Sequence, residues 1–132
     1  MKQTELKVKQ DPLHEKTMLF AVRIVRLSKY LAEEKKEYVM SRQLLRAGTN
    51  PGVMVREAAN TESNLDFIHK LGIAQKEVGE TEYWLELLFR TDFLNESEYK
   101  SIGKDADEVM RIIRSCILTM KKKMRQKGND QV

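Results

Sequence analysis

The chain has 132 residues, 41% of them hydrophobic and 33% charged, a balance typical of one globular domain rather than of a disordered chain. No run approaches the roughly 18 consecutive apolar residues of a membrane-spanning helix, and the polar segment from Met1 to Gln10 lacks the apolar stretch of a signal peptide. A single cysteine, Cys116, excludes an internal disulfide, so we expect a reducing, cytoplasmic setting and no contact with a membrane.

The formal net charge of +4 is unevenly distributed along the chain. Residues 1–110 carry 17 Lys or Arg against 19 Asp or Glu, whereas residues 111–132 carry 7 basic residues and 1 acid. The basic residues of this second part are Arg111, Arg114, Lys121, Lys122, Lys123, Arg125 and Lys127. Such a cluster can bind nucleic-acid phosphates by releasing counterions, or it can be a solvated helix end whose cations are favoured by the helix dipole. Both interpretations stay open at this point.

The first predicted helix follows a flexible leader, residues 1–12, which closes with Asp11 and Pro12. Apolar positions then recur at alternating steps of four and three, at Leu13, Thr17, Phe20, Ile24, Leu27 and Leu31. Met18, Ala21, Val22 and Val25 widen this stripe beyond a narrow two-helix seam. The spacing predicts an amphipathic helix that ends in the charged run at residues 33–37.

The second predicted helix contains a proline. Ser41 is a good N-cap for its start, and Gly48 and Gly52, four residues apart, share a face where another backbone could approach closely. Pro51 lacks an N–H and disfavours helical angles at Asn50. Local chemistry therefore predicts either a kink at this point or a new helix capped by Asn50.

The third predicted helix has the clearest periodicity, with Ser63 or Asn64 as its cap. Its seam consists of Phe67, Leu71, Ala74, Val78, Thr81, Leu85 and Leu88. A second apolar set, Ile73, Tyr83, Trp84 and Leu87, lies off that seam. Two stripes indicate either contact with a neighbouring subunit or a central helix buried on several sides.

A fourth helix opens at Asn95 or Ser97. Its seam consists of Tyr99, Ile102, Ala106, Val109, Ile113, Cys116 and Met120. Four seams joined by short connections favour an all-α fold, an antiparallel up-down four-helix bundle over residues 13–125. Residues 126–132 are expected to form a disordered tail.

Residues able to carry catalysis are sparse. Asp66 and His69 form an acid-x-x-His pair at the spacing that di-iron bundles use, but such sites use Glu-x-x-His on two helices with further inward glutamates, and the sequence contains no Glu-x-x-His. No phosphate-binding loop or nucleophile motif is present. We therefore expect no catalytic residues, no metal and no cofactor, and we expect Glu77 and Glu80 to pair with arginines of the second helix.

The central half of the chain resembles a known family. The resemblance rests on the strings QLLRAGTNPG at residues 43–52, REA at 56–58, DFIHKLGIAQKE at 66–77 and ETEYWLELL at 80–88. They are similar to the four-helix bundle proteins encoded in intervening sequences of bacterial 23S ribosomal RNA genes, a family that also bears the name of a ribosomal protein. A relative is the accessory variability determinant of diversity-generating retroelements.

The resemblance implies a four-helix bundle that assembles as a homopentameric barrel. It also implies a single helix over residues 41–61, which favours a continuous but bent helix at Pro51. The retroelement relative binds a reverse transcriptase and nucleic acid through a basic surface. A protein partner of that kind, RNA and DNA are therefore the partners that the resemblance suggests.

Eight positions carry residues of the family pattern, none with a known catalytic role. They are Arg46, Gly48, Arg56, Glu57, Lys76, Glu77, Glu80 and Trp84. Gly48 and Trp84 are interpreted as packing residues, and the charged ones as a polar network at helix or subunit contacts. The sequence thus predicts a non-enzymatic, pentameric accessory protein that binds nucleic acid or a ribonucleoprotein through its basic surface. The alternative is a protein-interaction scaffold without nucleic-acid contact.

Overall fold

The computed structural model of the protein describes residues 11–130 as four helices joined by short connections. The helices are α1 (Pro12–Glu33), α2 (Met40–Ala59), α3 (Asn64–Arg90) and α4 (Glu96–Asp130). No β-strand occurs between residues 11 and 130, which confirms the prediction of an all-α fold. Most of the predicted leader, residues 1–10, lies outside the described residues.

Each helix runs antiparallel to its neighbours. Between α1 and α4, Lys16 pairs with Glu108 at 2.8 Å and Arg23 pairs with Asp105 at 2.6 Å, so numbers rise along one helix as they fall along the other. The described helices contact each other only in the cyclic order α1–α2–α3–α4–α1. This arrangement is the up-down four-helix bundle that the sequence predicts.

The core follows the predicted seams closely. Its fully buried large side chains are contributed by all four helices and include Phe20, Ile24, Leu31, Leu44, Leu71, Leu85, Leu88 and Ile113. Two threonines also occupy it, and their hydroxyl groups donate to the carbonyl one turn earlier. Thr17 donates to Leu13 at 2.8 Å and Thr81 to Glu77 at 2.8 Å, so neither hydroxyl is buried without a partner.

The helix starts differ from the prediction at one place. Ser63 caps α3 by accepting from the Asp66 N–H, as expected. Ser41, by contrast, is not a cap, because α2 begins at Met40. The carboxylate of Glu37 takes that role instead, accepting the Ser41 N–H at 2.8 Å.

The start of α4 carries a reciprocal cap. The Asn95 side-chain oxygen accepts the Glu98 N–H at 2.8 Å, and the Glu98 carboxylate accepts the Asn95 N–H at 2.9 Å. Two backbone donors that have no partner within the helix are satisfied in this way. Of the two predicted starts, Asn95 is therefore the one that the structure uses.

The helix α2 passes through Pro51 without interruption. Pro51 is buried against the core, and this packing offsets the backbone hydrogen bond that the missing N–H removes. One turn earlier, Gly48 faces α1 so closely that a Cβ atom at this position would lie 2.7 Å from the side chain of Ile24. The absence of a side chain at Gly48 thus sets the distance between α1 and α2.

The last helix continues well past its last fully buried residue. That residue is Ile117, yet α4 continues to Asp130, through the first part of the segment predicted to be a disordered tail. Residues 118–130 form about 20 Å of helix at 1.5 Å per residue, and we call them the C-terminal projection. Met120 and Met124 in this segment are still partly covered. Lys, Met, Arg and Gln, which dominate this stretch, are all good helix formers.

Candidate functional site

An arginine on α2 links two acids on α3. Arg46 donates to the buried carboxylate of Glu77 at 3.2 Å and also to Glu80, one turn further along. The charge-assisted hydrogen bond from Arg46 is the largest cause that lowers the pKa of Glu80 below its ordinary value. Of the arginines on α2, Arg46 is thus the one that pairs with Glu77 and Glu80.

Trp84 lies on α3 one turn beyond Glu80, and we call Arg46, Glu77, Glu80 and Trp84 the polar row. Its indole is near enough to Glu80 to add a smaller lowering of that pKa, yet Nε1 meets the geometry of a hydrogen bond with no described residue. The ring packs against the core and makes an edge-to-face contact with Tyr83, with centroids 5.2 Å apart. Trp84 is partly covered within its own chain, in agreement with its interpretation as a packing residue.

The other charged residues that were predicted to form a polar network make their contacts away from the polar row. Arg56 reaches α1, where its Nη2 lies 3.1 Å from Nε2 of His14. Glu57 pairs with Lys70 of α3 at 3.2 Å. Lys76 is exposed and makes no ion pair with any described residue. The eight family positions therefore lie at separate places on α2 and α3 rather than in one cluster. The pairing with His14 and Lys70 could not be predicted from the sequence.

The seven basic residues predicted from the sequence, which lie on α4 from Arg111 to Lys127, are all exposed, and none forms an ion pair within the described part of the chain. At 100° per residue, five of them lie on one side of the helix, away from the core. They are Arg111, Arg114, Lys121, Lys122 and Arg125, and we call them the basic stripe. Leu118, which is 56% exposed, lies in the middle of it. Lys123 and Lys127 extend along a second side of the projecting segment.

Two acids that lie close together between α3 and α4, Glu82 and Asp107, were not predicted from the sequence to be neighbours. Burial raises the pKa of Glu82, and the nearby carboxylate of Asp107 raises it further, whereas Arg114 acts in the opposite direction. Both acids line a groove of about 320 Å³ between the two helices. The side chain of Glu82 is partly covered because it lies close to α4.

The remaining residues that could bind a metal or carry catalysis do not come together in the described part of the chain. Asp66 and His69 are both exposed at the start of α3, and no three His, Cys, Asp or Glu side chains converge on a metal-sized space in residues 11–130. Cys116 is half-buried, and desolvation raises the pKa of its thiol, which leaves less of the reactive thiolate. None of the four described helices combines the length and apolarity that crossing a bilayer requires.

Fold and surface together define a small antiparallel helical bundle with a polar row between two helices and a cationic projection at one end. The chain belongs to the family of 23S rRNA-intervening sequence proteins, whose pattern it matches over residues 9–115. This confirms the family that the sequence resemblance indicated, and the function of that family is not established.

One solved structure is closely similar. It is a protein with unknown function from the S23 ribosomal protein family of Bacteroides thetaiotaomicron VPI-5482. It shares 50% sequence identity with this chain, superimposes with a TM-score of 0.79, and the match covers 80% of this chain and 94% of that one. No curated protein is significantly similar to the chain. The family match ends at residue 115, so most of the basic stripe and the whole projection lie beyond it.

Proposed function

We propose that this protein is a non-enzymatic, homo-oligomeric accessory protein that binds nucleic-acid phosphates through the basic stripe of α4. One observation carries the proposal: α4 continues about 20 Å beyond its last fully buried residue, and its end carries exposed basic side chains that form no ion pair within the described part of the chain. Cations of this kind are available to phosphates, and binding releases the counterions condensed on the nucleic acid.

The charge of this segment differs from that of the rest of the chain. Residues 1–110 carry 17 basic residues against 19 acids, whereas residues 111–132 carry 7 basic residues against 1 acid. The excess of positive charge is thus concentrated at the end of α4. Contacts of this kind fix position on a backbone but read no bases, so the proposal is binding without sequence preference.

Assembly would multiply this effect. The resemblance implies five copies, and a ring of five chains at +4 each would carry a formal charge of about +20. Several stripes on one particle would also engage one long nucleic acid together, which raises avidity without any new type of contact.

The test is nucleic-acid binding as a function of salt. Fluorescence anisotropy with 40-nucleotide single-stranded RNA, the matching RNA duplex and the matching DNA duplex is measured between low and physiological salt. We expect log K to fall linearly with log salt, and the variant Lys121→Glu/Lys122→Glu to reduce the slope by about 2, since each lysine that contacts a phosphate contributes about 1.

The matched control is Lys35→Glu/Lys36→Glu, an adjacent exposed pair in the connection between α1 and α2. This variant makes the same change in net charge at the opposite end of the bundle, so it should keep the wild-type slope. Absence of binding at low salt with all three probes would overturn the proposal, as would equal weakening by both variants. Absence of binding would favour the protein-interaction scaffold, whereas equal weakening would show that binding follows the net charge of the chain rather than the basic stripe.

A further inference from the structure

A groove of about 260 Å³ lies between the first half of α1 and the second half of α2. Met18, Ala21 and Val53 contribute aliphatic side chains to its walls. The two threonines that border it, Thr17 and Thr49, donate their hydroxyl groups to carbonyls of their own helices, at 2.8 and 2.7 Å. Because these hydroxyl groups are already satisfied, most of the groove suits an aliphatic group rather than a polar one.

Part of this space exists because Gly52 has no side chain. A Cβ atom at this position would lie 3.7 Å from the carbonyl oxygen of Thr17, which is an ordinary contact. At Gly48, one turn earlier, a Cβ atom would lie only 2.7 Å from the side chain of Ile24. Close packing of α1 and α2 therefore requires a glycine at position 48 but not at position 52, where the missing side chain leaves the groove open.

The charged groups that border the groove lie at one end of it. They are Arg56 and Glu57 of α2, beside His14 of α1. The carboxylate of Glu57 is paired with Lys70 of α3 at 3.2 Å. Arg56 forms no ion pair with any residue that the structure describes. The unmatched charge at this end of the groove is therefore positive.

The contact with His14 holds the guanidinium group of Arg56 at the groove. Nη2 of Arg56 lies 3.1 Å from Nε2 of His14. A guanidinium has five N–H donors and no acceptor, so the ring nitrogen accepts in this contact and most donors of Arg56 stay available. Arginine binds a carboxylate through two parallel N–H donors. An anion with an apolar body thus complements both the charged end and the walls of the groove.

We infer that the groove binds a small carboxylate with an aliphatic chain. The carboxylate accepts from Arg56, and the chain covers Met18 and Val53, which are 43% and 50% exposed without it. The volume of about 260 Å³ corresponds to about nine water molecules at roughly 30 Å³ each, so the chain has on the order of six to eight carbon atoms. One unmatched cation beside apolar walls suits a monoanion rather than a polyphosphate. This site is separate from the basic stripe and does not depend on the proposed function.

The test is a titration with octanoate, followed by NMR of the histidine ring protons at constant pH and salt. The chain has two histidines, His14 at the groove and His69 on α3, and the variant His69→Gln assigns their signals. We expect the signal of His14 to shift to saturation while that of His69 stays in place. Acetate lacks the chain and 1-octanol lacks the charge, so each should bind at least about tenfold more weakly than octanoate.

Two pairs of variants separate the charge from the space. Arg56→Met should weaken octanoate binding by about tenfold or more, whereas the control Lys76→Met, which removes an exposed cation from the helix diagonal to α1, should not. Gly52→Leu fills the groove and should abolish the shift of His14. Its control, Gly79→Leu, adds the same side chain on α3, where no atom lies within 4 Å of the Cβ position, and should bind as wild type does.

Circular dichroism shows whether Gly52→Leu folds. If it does not, Arg56→Met decides alone, because Arg56 is exposed and its replacement leaves the core intact. Equal affinity of wild type and Arg56→Met for octanoate would overturn the inference, as would equal binding of 1-octanol and octanoate. Absence of a saturable shift of His14 would also overturn it and would leave the groove to a protein partner or a second copy of the chain. Nucleic-acid binding should be the same in Arg56→Met and Lys76→Met, so the two proposals fail independently.

Discussion

At the scale of single residues, Gly48 makes the sharpest prediction. Alanine is the better helix former by about 1 kcal/mol, yet its Cβ would lie 2.7 Å from two atoms of the Ile24 side chain. Overpacking of this kind typically costs 1–3 kcal/mol, so we expect Gly48→Ala to lower the free energy of unfolding by about 1–2 kcal/mol, as measured by urea denaturation.

The control for this prediction is Gly79→Ala on α3. No atom lies within 4 Å of the Cβ position there, so helix propensity alone should act and the variant should be more stable by about 0.5–1 kcal/mol. The combination of Gly48→Ala with Ile24→Val should recover part of the loss, since it shortens the side chain in conflict. Equal stability of the two alanine variants would contradict the close approach of α1 and α2.

Glu82 gives a prediction about pH. Its pKa is raised in the folded state above the value of 4.5 that an unperturbed carboxyl has, so the folded chain holds this proton more tightly. The free energy of unfolding must therefore fall as pH rises through the interval just above 4.5. We expect Glu82→Gln to stabilise the protein at pH 7, by no more than about 1 kcal/mol because solvent screens a partly exposed group.

At pH 4 and below, the wild type and Glu82→Gln should unfold with nearly the same free energy, since the carboxyl is then protonated. Glu86→Gln serves as the control, because Glu86 is exposed and pairs only with Arg90 one turn away, at 2.9 Å. It should show no gain at pH 7. A gain from Glu82→Gln that is the same at both pH values would contradict its cause, which is the ionisation of a partly buried carboxyl beside Asp107.

At the scale of helices, the contribution of the ion pairs between α2 and α3 to stability can be tested by removing Arg46. Removal of Arg46 leaves the carboxylate of Glu77, only 8% exposed, without its cationic partner. We expect Arg46→Met to lower the free energy of unfolding at pH 7 by about 1–3 kcal/mol. The double variant Arg46→Met/Glu77→Gln should recover much of this, because the carboxylate that then lacks its partner, Glu80, is partly exposed to solvent.

The pH dependence of the same variant has a defined sign. The pKa of Glu80 is lowered by Arg46, so its stabilising contribution is complete above the unfolded pKa and is lost as pH falls through the folded one. The difference between wild type and Arg46→Met should therefore shrink toward low pH. The control Lys70→Met breaks a more exposed pair and should cost less than about 1 kcal/mol. If Arg46→Met and Lys70→Met lower the free energy of unfolding by the same amount, the carboxylate of Glu77 is solvated.

The helices themselves could be predicted from the sequence because burial follows a period that the chain repeats many times. Along α3, the predicted seam from Leu71 to Leu88 is buried at every position. Local chemistry did not decide Pro51, since two outcomes are compatible with its missing N–H. The packing of Pro51 against the core, which depends on α2 docking on its neighbours, settles the choice in favour of one helix.

The site was less predictable for a related reason. A charge pattern on one helix shows which residues face outward, but not which residue of another helix lies opposite. The sequence therefore did not single out Arg46 among the arginines of the second helix, and it did not indicate that Glu82 lies near Asp107. The basic stripe was found because it needs no partner, and only the structure shows that its helix continues beyond the last fully buried residue, Ile117.

At the scale of the whole molecule, the excess of positive charge lies at one end of the chain. Residues 111–132 carry 7 basic residues and 1 acid, whereas residues 1–110 carry 17 basic residues and 19 acids. If the chain assembles as proposed, an oligomer presents several stripes to one nucleic acid. Its affinity should then increase strongly with the length of the nucleic acid, since a second stripe binds intramolecularly once the first is engaged.

The length of the nucleic acid therefore distinguishes binding by one stripe from binding by several. For wild type, we expect affinity to rise by about tenfold or more between a 12-nucleotide and a 60-nucleotide single strand at fixed salt, beyond the statistical gain from added sites. Lys121→Glu/Lys122→Glu should weaken binding to both strands, whereas the control Lys35→Glu/Lys36→Glu should keep the gain with length. A gain no larger than the statistical one would contradict the simultaneous use of several stripes, because a single stripe would then account for the binding.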